Sequence, residues 1–302
     1  MHIFFVEGES HLARALIHYA QSIRGIRVEV YQGDLENLRE LELQLTALSP
    51  DFVVNSYEFS DYLKAEQRQD QAWQINAIFP DHLAHICLEL SAGLLHISSD
   101  EVIGETRGIP FHEKDTVHPI NAYGESKWQG EEAVRQLLKR HIILRLGSLF
   151  SGDENGWTHQ LIQKAASAQG LQEAADITLS PTATSDVARV VIGILQQLDA
   201  GADCWGTFQY AGVEAVSRAS FAEQVIQLAQ DRGLLTGMEA VRSVSAASLG
   251  LAGLQALHRE MNCQKIMDHF GIKQRSWRPE LVACLEYLAD SLEAKAAAEE
   301  EN

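Results

Sequence analysis

Cysteine is scarce in this 302-residue chain, with four, at Cys87, Cys204, Cys263 and Cys284, and no C-x-x-C pair among them. Such scatter supports neither a zinc knuckle nor a disulfide framework, and reduced core thiols are the simple expectation. Positive charge is also short. Against 42 acids stand 24 bases, a net charge of −18, so long-range repulsion disfavours non-specific binding to nucleic acid. No apolar run approaches the roughly eighteen residues of a membrane-spanning helix. The N-terminus enters a strand-like run at once, without a basic segment leading into a long apolar one, and a cytoplasmic location is expected. At 46% hydrophobic and 22% charged, the composition excludes disorder and collagen-like repeats.

What is present is an alternation. Strand-like runs at His2–Val6, Ile26–Val30, Asp51–Asn55, Gly93–Ser98 and His141–Leu146 are separated by segments with helical apolar spacing. Those helical segments are Ser10–Gly25, Leu35–Leu48, Gln67–Leu90 (interrupted near Pro80) and Tyr123–Lys139. Such alternation predicts an α/β, Rossmann-like, doubly wound parallel sheet. The expected nucleotide-binding domain covers 1–150 and is completed by about 184–212, where a helix and the strand Gly206–Tyr210 return to it. A smaller, helix-rich substrate-side region is expected over 151–183 and 213–293, with 294–302 a frayed helix end or disordered tail. Ligands of such sheets bind beyond the carboxyl ends of the strands, so the residues just after each strand carry the information.

One constellation there carries chemistry. Tyr123-Gly124-Glu125-Ser126-Lys127 opens a helix after a strand ending in Ser98-Ser99-Asp100. Positions i and i+4 share a helix face, so the Tyr123 phenol and the Lys127 ammonium converge. A neighbouring cation is expected to lower the phenol's pKa, and the Ser99 hydroxyl to polarise a substrate carbonyl. The set suits proton transfer at an oxygen while hydride moves at carbon.

At these residues the sequence resembles the extended short-chain dehydrogenase/reductase superfamily, and within it the dTDP-4-dehydrorhamnose reductase family. The likeness runs through Gly33-Asp34-Leu35, Pro50–Asn55, Lys64-Ala65-Glu66, Ile75-Asn76-Ala77, His96–Asp100, Ile109–Glu113, Pro119–Lys127 and Pro181-Thr182. The resemblance implies Ser99, Tyr123 and Lys127 as the catalytic set, with Lys127 also holding a nicotinamide ribose. It implies NAD or NADP contacts at Gly8, Ser10, His11, Leu12, Asp34, Leu35, Asn55 and Asn76. Substrate contacts are expected at Ser99, Asp100, Tyr123 and Arg259, and the small-molecule partner is a nucleotide or nucleotide sugar.

Several stretches depart from that pattern. The family's G-x-x-G-x-x-G turn reads Glu7-Gly8-Glu9-Ser10-His11-Leu12-Ala13. A dinucleotide pyrophosphate belongs on this helix N-terminus, and one carboxylate about 5 Å from a phosphate charge repels it by roughly 3 kcal/mol at an effective dielectric near 20. The stretch after Val30 is shortened, which removes the residue that distinguishes NAD from NADP. Tyr57-Glu58 replaces small residues, and only Arg259 remains as a basic partner near the C-terminal segment. Weak or absent dinucleotide binding is therefore expected, with Glu7, Glu9, Tyr57 and Glu58 gathered at one mouth of the sheet. Two functions follow. One is NAD(P)H-dependent reduction of a keto nucleotide sugar. The other is a non-catalytic nucleotide- or nucleotide-sugar-binding subunit that regulates or docks a protein partner, in which a homodimer is also open.

Overall fold

Alternating residues of β1 (His2–Phe5) face opposite layers: Ile3 and Phe5 enter one apolar cluster and Phe4 the other. This is why both sides of the strand read as apolar. The computed structural model describes residues 1–104, 108–167, 170–236 and 240–300, with side chains described through residue 295. After β1 come α1 (His11–Ser22), β2 (Arg27–Val30), α2 (Leu38–Leu48), β3 (Phe52–Asn55), α3 (Tyr62–Gln67), α4 (Gln69–Trp73), α5 (Phe79–Leu90), β4 (Gly93–Ser99), α6 (Ala122–Leu137) and β5 (His141–Leu146). Then follow β6 (Leu149–Phe150), α7 (Trp157–Ala166), β7 (Gln172–Ala174), β8 (Thr178–Leu179), β9 (Thr182–Ala183), α8 (Thr184–Asp199) and β10 (Gly206–Tyr210). The chain closes with β11 (Val216–Ser217), α9 (Arg218–Asp231), β12 (Arg242–Val244), α10 (Gln264–Phe270) and α11 (Trp277–Glu300).

Six strands form one parallel sheet in the order β10-β5-β4-β3-β1-β2. The strand order reverses across β1 and β3, and the switch point lies beyond their carboxyl ends. Leu16 of α1, Val187 and Val191 of α8 and Ile266 of α10 cover one face; Leu41 and Leu45 of α2, Leu83 of α5 and Val134 of α6 cover the other. A separate core holds the second region, where Phe221 stacks on Trp157 at 4.5 Å and meets Trp277 edge-on at 5.4 Å. That region also carries short strand pairs, β7 with β12, β8 with β11 and β6 with β9, that helical patterning alone does not forecast. Ala294 to Glu300 continue α11, and Glu301 and Asn302 lie outside the described residues. Among the described residues no helix is long and apolar enough to cross a membrane.

The interruption near Pro80 is a π-helical turn over Gln74–Ile78 that joins α4 to α5. Proline has no N–H to offer the Asn76 carbonyl four residues back, so the ladder widens there. Gly130 of α6 packs on that carbonyl so closely that a Cβ would stand 2.1 Å from the Asn76 oxygen. Further along α6 the fully buried Glu131 carboxylate accepts from Ser98 Oγ at 2.6 Å and from Arg145 Nη2 at 2.7 Å. Burial acts to raise that carboxyl's pKa, but the Arg145 guanidinium outweighs it and the group lies below its usual range. These contacts fix α6, and hence Tyr123 and Lys127, against β4 and β5.

Candidate functional site

The turn after β1 is built around one carboxylate. Glu7, 8% exposed, folds back so that Oε2 accepts from the Glu9 N–H at 2.9 Å and the Ser10 N–H at 3.0 Å. Its Oε1 accepts from Ser10 Oγ at 2.6 Å and from Ser56 Oγ at 2.7 Å. Ser10 also caps α1, its Oγ accepting from the Ala13 N–H at 3.1 Å. These N–H groups belong to the cap residue and the one before it, just ahead of α1, where the helix dipole favours an anion as it favours a phosphate. Of the two acids expected at this mouth of the sheet, only Glu7 turns into it: the Glu9 side chain is exposed and only its backbone serves the turn. Of the other turn candidates, Gly8 packs on β2, where a Cβ would stand 3.0 Å from Val30, and Leu12 is buried under the sheet. His11 lies 3.1 Å from Asp153, with Arg14 3.4 Å from the same carboxylate, tying α1 to the second region.

Across the switch point, the cap of α6 by Asn121, whose Oδ1 accepts from the Gly124 N–H at 2.6 Å, sets the helix start so that Tyr123 and Lys127 share a face. The structure brings both together with Ser99, and adds a fourth group. Glu58 Oε2 accepts from Tyr123 Oη at 3.0 Å and lies 3.3 Å from Lys127 Nζ, which also donates to the Ile97 carbonyl at 2.7 Å. Burial, then the Glu58 charge, push the Tyr123 phenol well above its ordinary value, while a hydrogen bond with Ser99 works the other way. The expected lowering by Lys127 is thus reversed, because that ammonium is shared with a carboxylate and the phenol is out of water. Tyr123 is a neutral donor aimed at Glu58. Ser99 Oγ meanwhile accepts from the Glu101 N–H at 3.2 Å and donates to Asp100 Oδ1 at 3.3 Å.

Glu58, Ser99, Asp100 and Tyr123 form the floor of a cavity of about 790 Å³ between the sheet and the second region, walled by Trp157, Arg218 and Arg259, with Lys127 buried behind it. The size is that of a small-molecule site. Arg259 is buried, with Nη1 3.1 Å from Asp100 Oδ1 and 2.7 Å from Glu101 Oε1, so its charge is largely spent inside the protein. Asp100 Oδ2 has no hydrogen-bond partner among the described residues, and burial, opposed by Arg259, pushes the carboxyl up to about 6.

The remaining candidates lie apart. Asp34 is exposed, its Oδ1 accepting from the Glu36 N–H at 2.9 Å. Leu35 lines a separate groove of about 420 Å³ whose charged lining residues are Glu36 and Asp70. Tyr57, edge-on to Phe79 at 5.2 Å, stands between that groove and a cavity of about 430 Å³ that Glu7 and Glu58 also line. Asn55 and Asn76 are fully buried. Asn55 contacts His96 Nδ1 at 3.0 Å and accepts from the Tyr57 N–H at 3.2 Å; Asn76 accepts from the Phe59 N–H at 2.9 Å and donates to the Phe59 carbonyl at 3.2 Å. Both hold the 55–59 segment across the sheet ends. Glu7, Tyr57 and Glu58 line one cavity, as expected of the mouth of the sheet, without Glu9; the contacts of Ser56 with Glu7 and of Glu58 with Tyr123 were not foreseen. Their position directly after β3 was the available signal.

Residues 1–289 match the family model described as the RmlD substrate binding domain. The chain belongs to this family. A dTDP-4-dehydrorhamnose reductase of Sinorhizobium fredii is 28% identical over 232 residues, covering 76% of this chain and 77% of that protein. The spore coat polysaccharide biosynthesis protein SpsK of Bacillus subtilis is 28% identical over 241 residues, 80% of each chain. A crystal structure of a dTDP-4-dehydrorhamnose reductase from Clostridium acetobutylicum superposes with a TM-score of 0.85 at 25% identity, covering 95% of this chain and 99% of that one. The Bacillus anthracis reductase solved in complex with NADP shares the fold at a TM-score of 0.81 and 21% identity, over 93% of this chain and 96% of that one. In this RmlD-family chain the residues facing a dinucleotide position do not fit one as they stand: the Glu9 and Ser10 N–H groups already bind Glu7, and Tyr123 and Lys127 already bind Glu58.

Proposed function

We propose that this RmlD-family protein binds a nucleotide-linked sugar in the cavity floored by Ser99, Asp100 and Tyr123 and does not reduce it. The observation carrying this reading is the shared carboxylate of Glu58. It takes the proton-donating hydroxyl of Tyr123 and neutralises Lys127, the two groups that a carbonyl reduction needs free. The cavity itself keeps polar groups suited to a sugar, the Ser99 hydroxyl and the Arg218 guanidinium on its wall, although Arg218 also pairs with Glu173 at 2.9 Å and Arg259 with Asp100 and Glu101. Binding without turnover suits a regulatory or partner-docking subunit. The second reading, an NAD(P)H-dependent reductase of a keto nucleotide sugar, draws support from the convergence of Ser99, Tyr123 and Lys127.

One purified sample separates the two. Calorimetry with dTDP- and UDP-linked sugars is expected to show saturable binding, while the same sample with NADH or NADPH and a 4-keto nucleotide sugar shows no oxidation of the dinucleotide. Turnover that falls about 100-fold or more in Tyr123→Phe would replace the binding reading with the reductase one.

A further inference from the structure

In a doubly wound sheet a dinucleotide pyrophosphate docks on the N–H groups of the turn after the first strand, at the switch point in strand order. We infer that this protein closes that groove to nicotinamide dinucleotides with its own side chains, Glu7 standing in for the phosphate and Glu58 for the remaining polar partner. Independent contacts agree. The buried Glu7 carboxylate receives two backbone and two hydroxyl hydrogen bonds, each strengthened by its charge. Ser56, one of those donors, lies in the same segment as Glu58, so the two carboxylates are mechanically linked. That segment is pinned at each step: Asn55 on His96, Ser56 on Glu7, the Tyr57 ring on Phe79, Glu58 on Tyr123 and Lys127, and Phe59 on Asn76.

An incoming phosphate must displace a ligand that is covalently tethered and therefore present at high effective concentration. The carboxylate it displaces then remains beside it as a like charge. Tyr57 walls the turn from the groove of Leu35, and that groove offers only Glu36 and Asp70 as charged lining. Extra negative charge on a dinucleotide finds no cation there. Glu9 contributes nothing to closure beyond its backbone N–H. The exclusion does not depend on whether the other cavity takes a nucleotide sugar.

The test titrates NADH and NADPH separately into the wild-type protein, Glu7→Gly/Glu58→Ala, Glu7→Gln/Glu58→Gln and Glu9→Gln, with folding checked by circular dichroism. The Gln pair keeps side-chain volume, removes the charge and turns one accepting oxygen of each carboxylate into a donating NH2, so a poorly folding Gly/Ala variant does not remove the test. The wild type and Glu9→Gln should show no saturable binding up to about 1 mM. At least one folded double variant should bind about 10-fold or more tighter than wild type, the scale of one recovered anion contact at a helix N-terminus. Micromolar binding by the wild type, or folded double variants that both bind no better than it, overturns the inference. Nucleotide-sugar binding is measured on the wild type alone, so its failure is read apart from this one.

Discussion

Asp100 is the residue where burial bears most sharply on charge. Its Oδ1 pairs with Arg259 while Oδ2 is left without a partner, and burial lifts its carboxyl to about 6. The folded-state value lies above the unfolded one of about 3.9, so the folded protein holds a proton that the unfolded chain has lost between those values. Its stabilising contribution is present in full below about pH 4 and is lost as pH rises through about 6. Urea unfolding of the wild type across this window should therefore show a decline, on the order of 3 kcal/mol, that Asp100→Asn lacks. Parallel curves for the two proteins would mean that Arg259 holds Asp100 ionised throughout. At this scale the sequence made Tyr123 and Lys127 legible, because helical spacing fixes which side chains share a face. It did not show Glu58, whose partner lies 65 positions away.

Elements act here by meeting at close range. The π-helical turn exposes the Asn76 carbonyl, and α6 presents Gly130 to it with no room for a methyl group. Gly130→Ala should push α6 from the turn and lower stability by about 1–3 kcal/mol, the usual cost of overpacking. An unchanged melting temperature would show that the two elements are free to separate. The same contact holds Asn76 and, through it, Phe59, so the variant should loosen the 55–59 segment, readable as faster amide exchange at Phe59. The pattern near Pro80 announced a break in the helix. Which helix packed into the break depended on α6, far along the chain.

For the whole molecule the dominant sequence fact is a net charge of −18. Such an excess strains the folded state through self-repulsion, which salt screens. Raising sodium chloride from about 20 to about 200 mM should increase the melting temperature by a few degrees, as seen by differential scanning calorimetry. A fall instead would mean that exposed ion pairs such as Lys295 with Glu154, 2.7 Å apart, outweigh the general repulsion. Buried pairs such as Arg145 with Glu131, 2.7 Å apart, are little screened and should leave the trend unaltered.

The sequence by itself determined the parallel sheet, the helices on its two faces and the identity of the tyrosine and lysine at one helix start. All of these are written in local pattern, in short apolar strand runs buried on both faces and in helix stripes of 3.6. It also showed that the turn after β1 carries an acid where a phosphate would dock. Three of that acid's four hydrogen bonds come from its own turn, and tertiary structure decided the fourth. Glu7 turns inward because Ser56, brought alongside by the pairing of β1 with β3, supplies its fourth hydrogen bond. Glu9, two residues on, has no such neighbour and stays in water. The turn supplies the local donors, and the one delivered from beyond another strand is the meeting that no local pattern encodes.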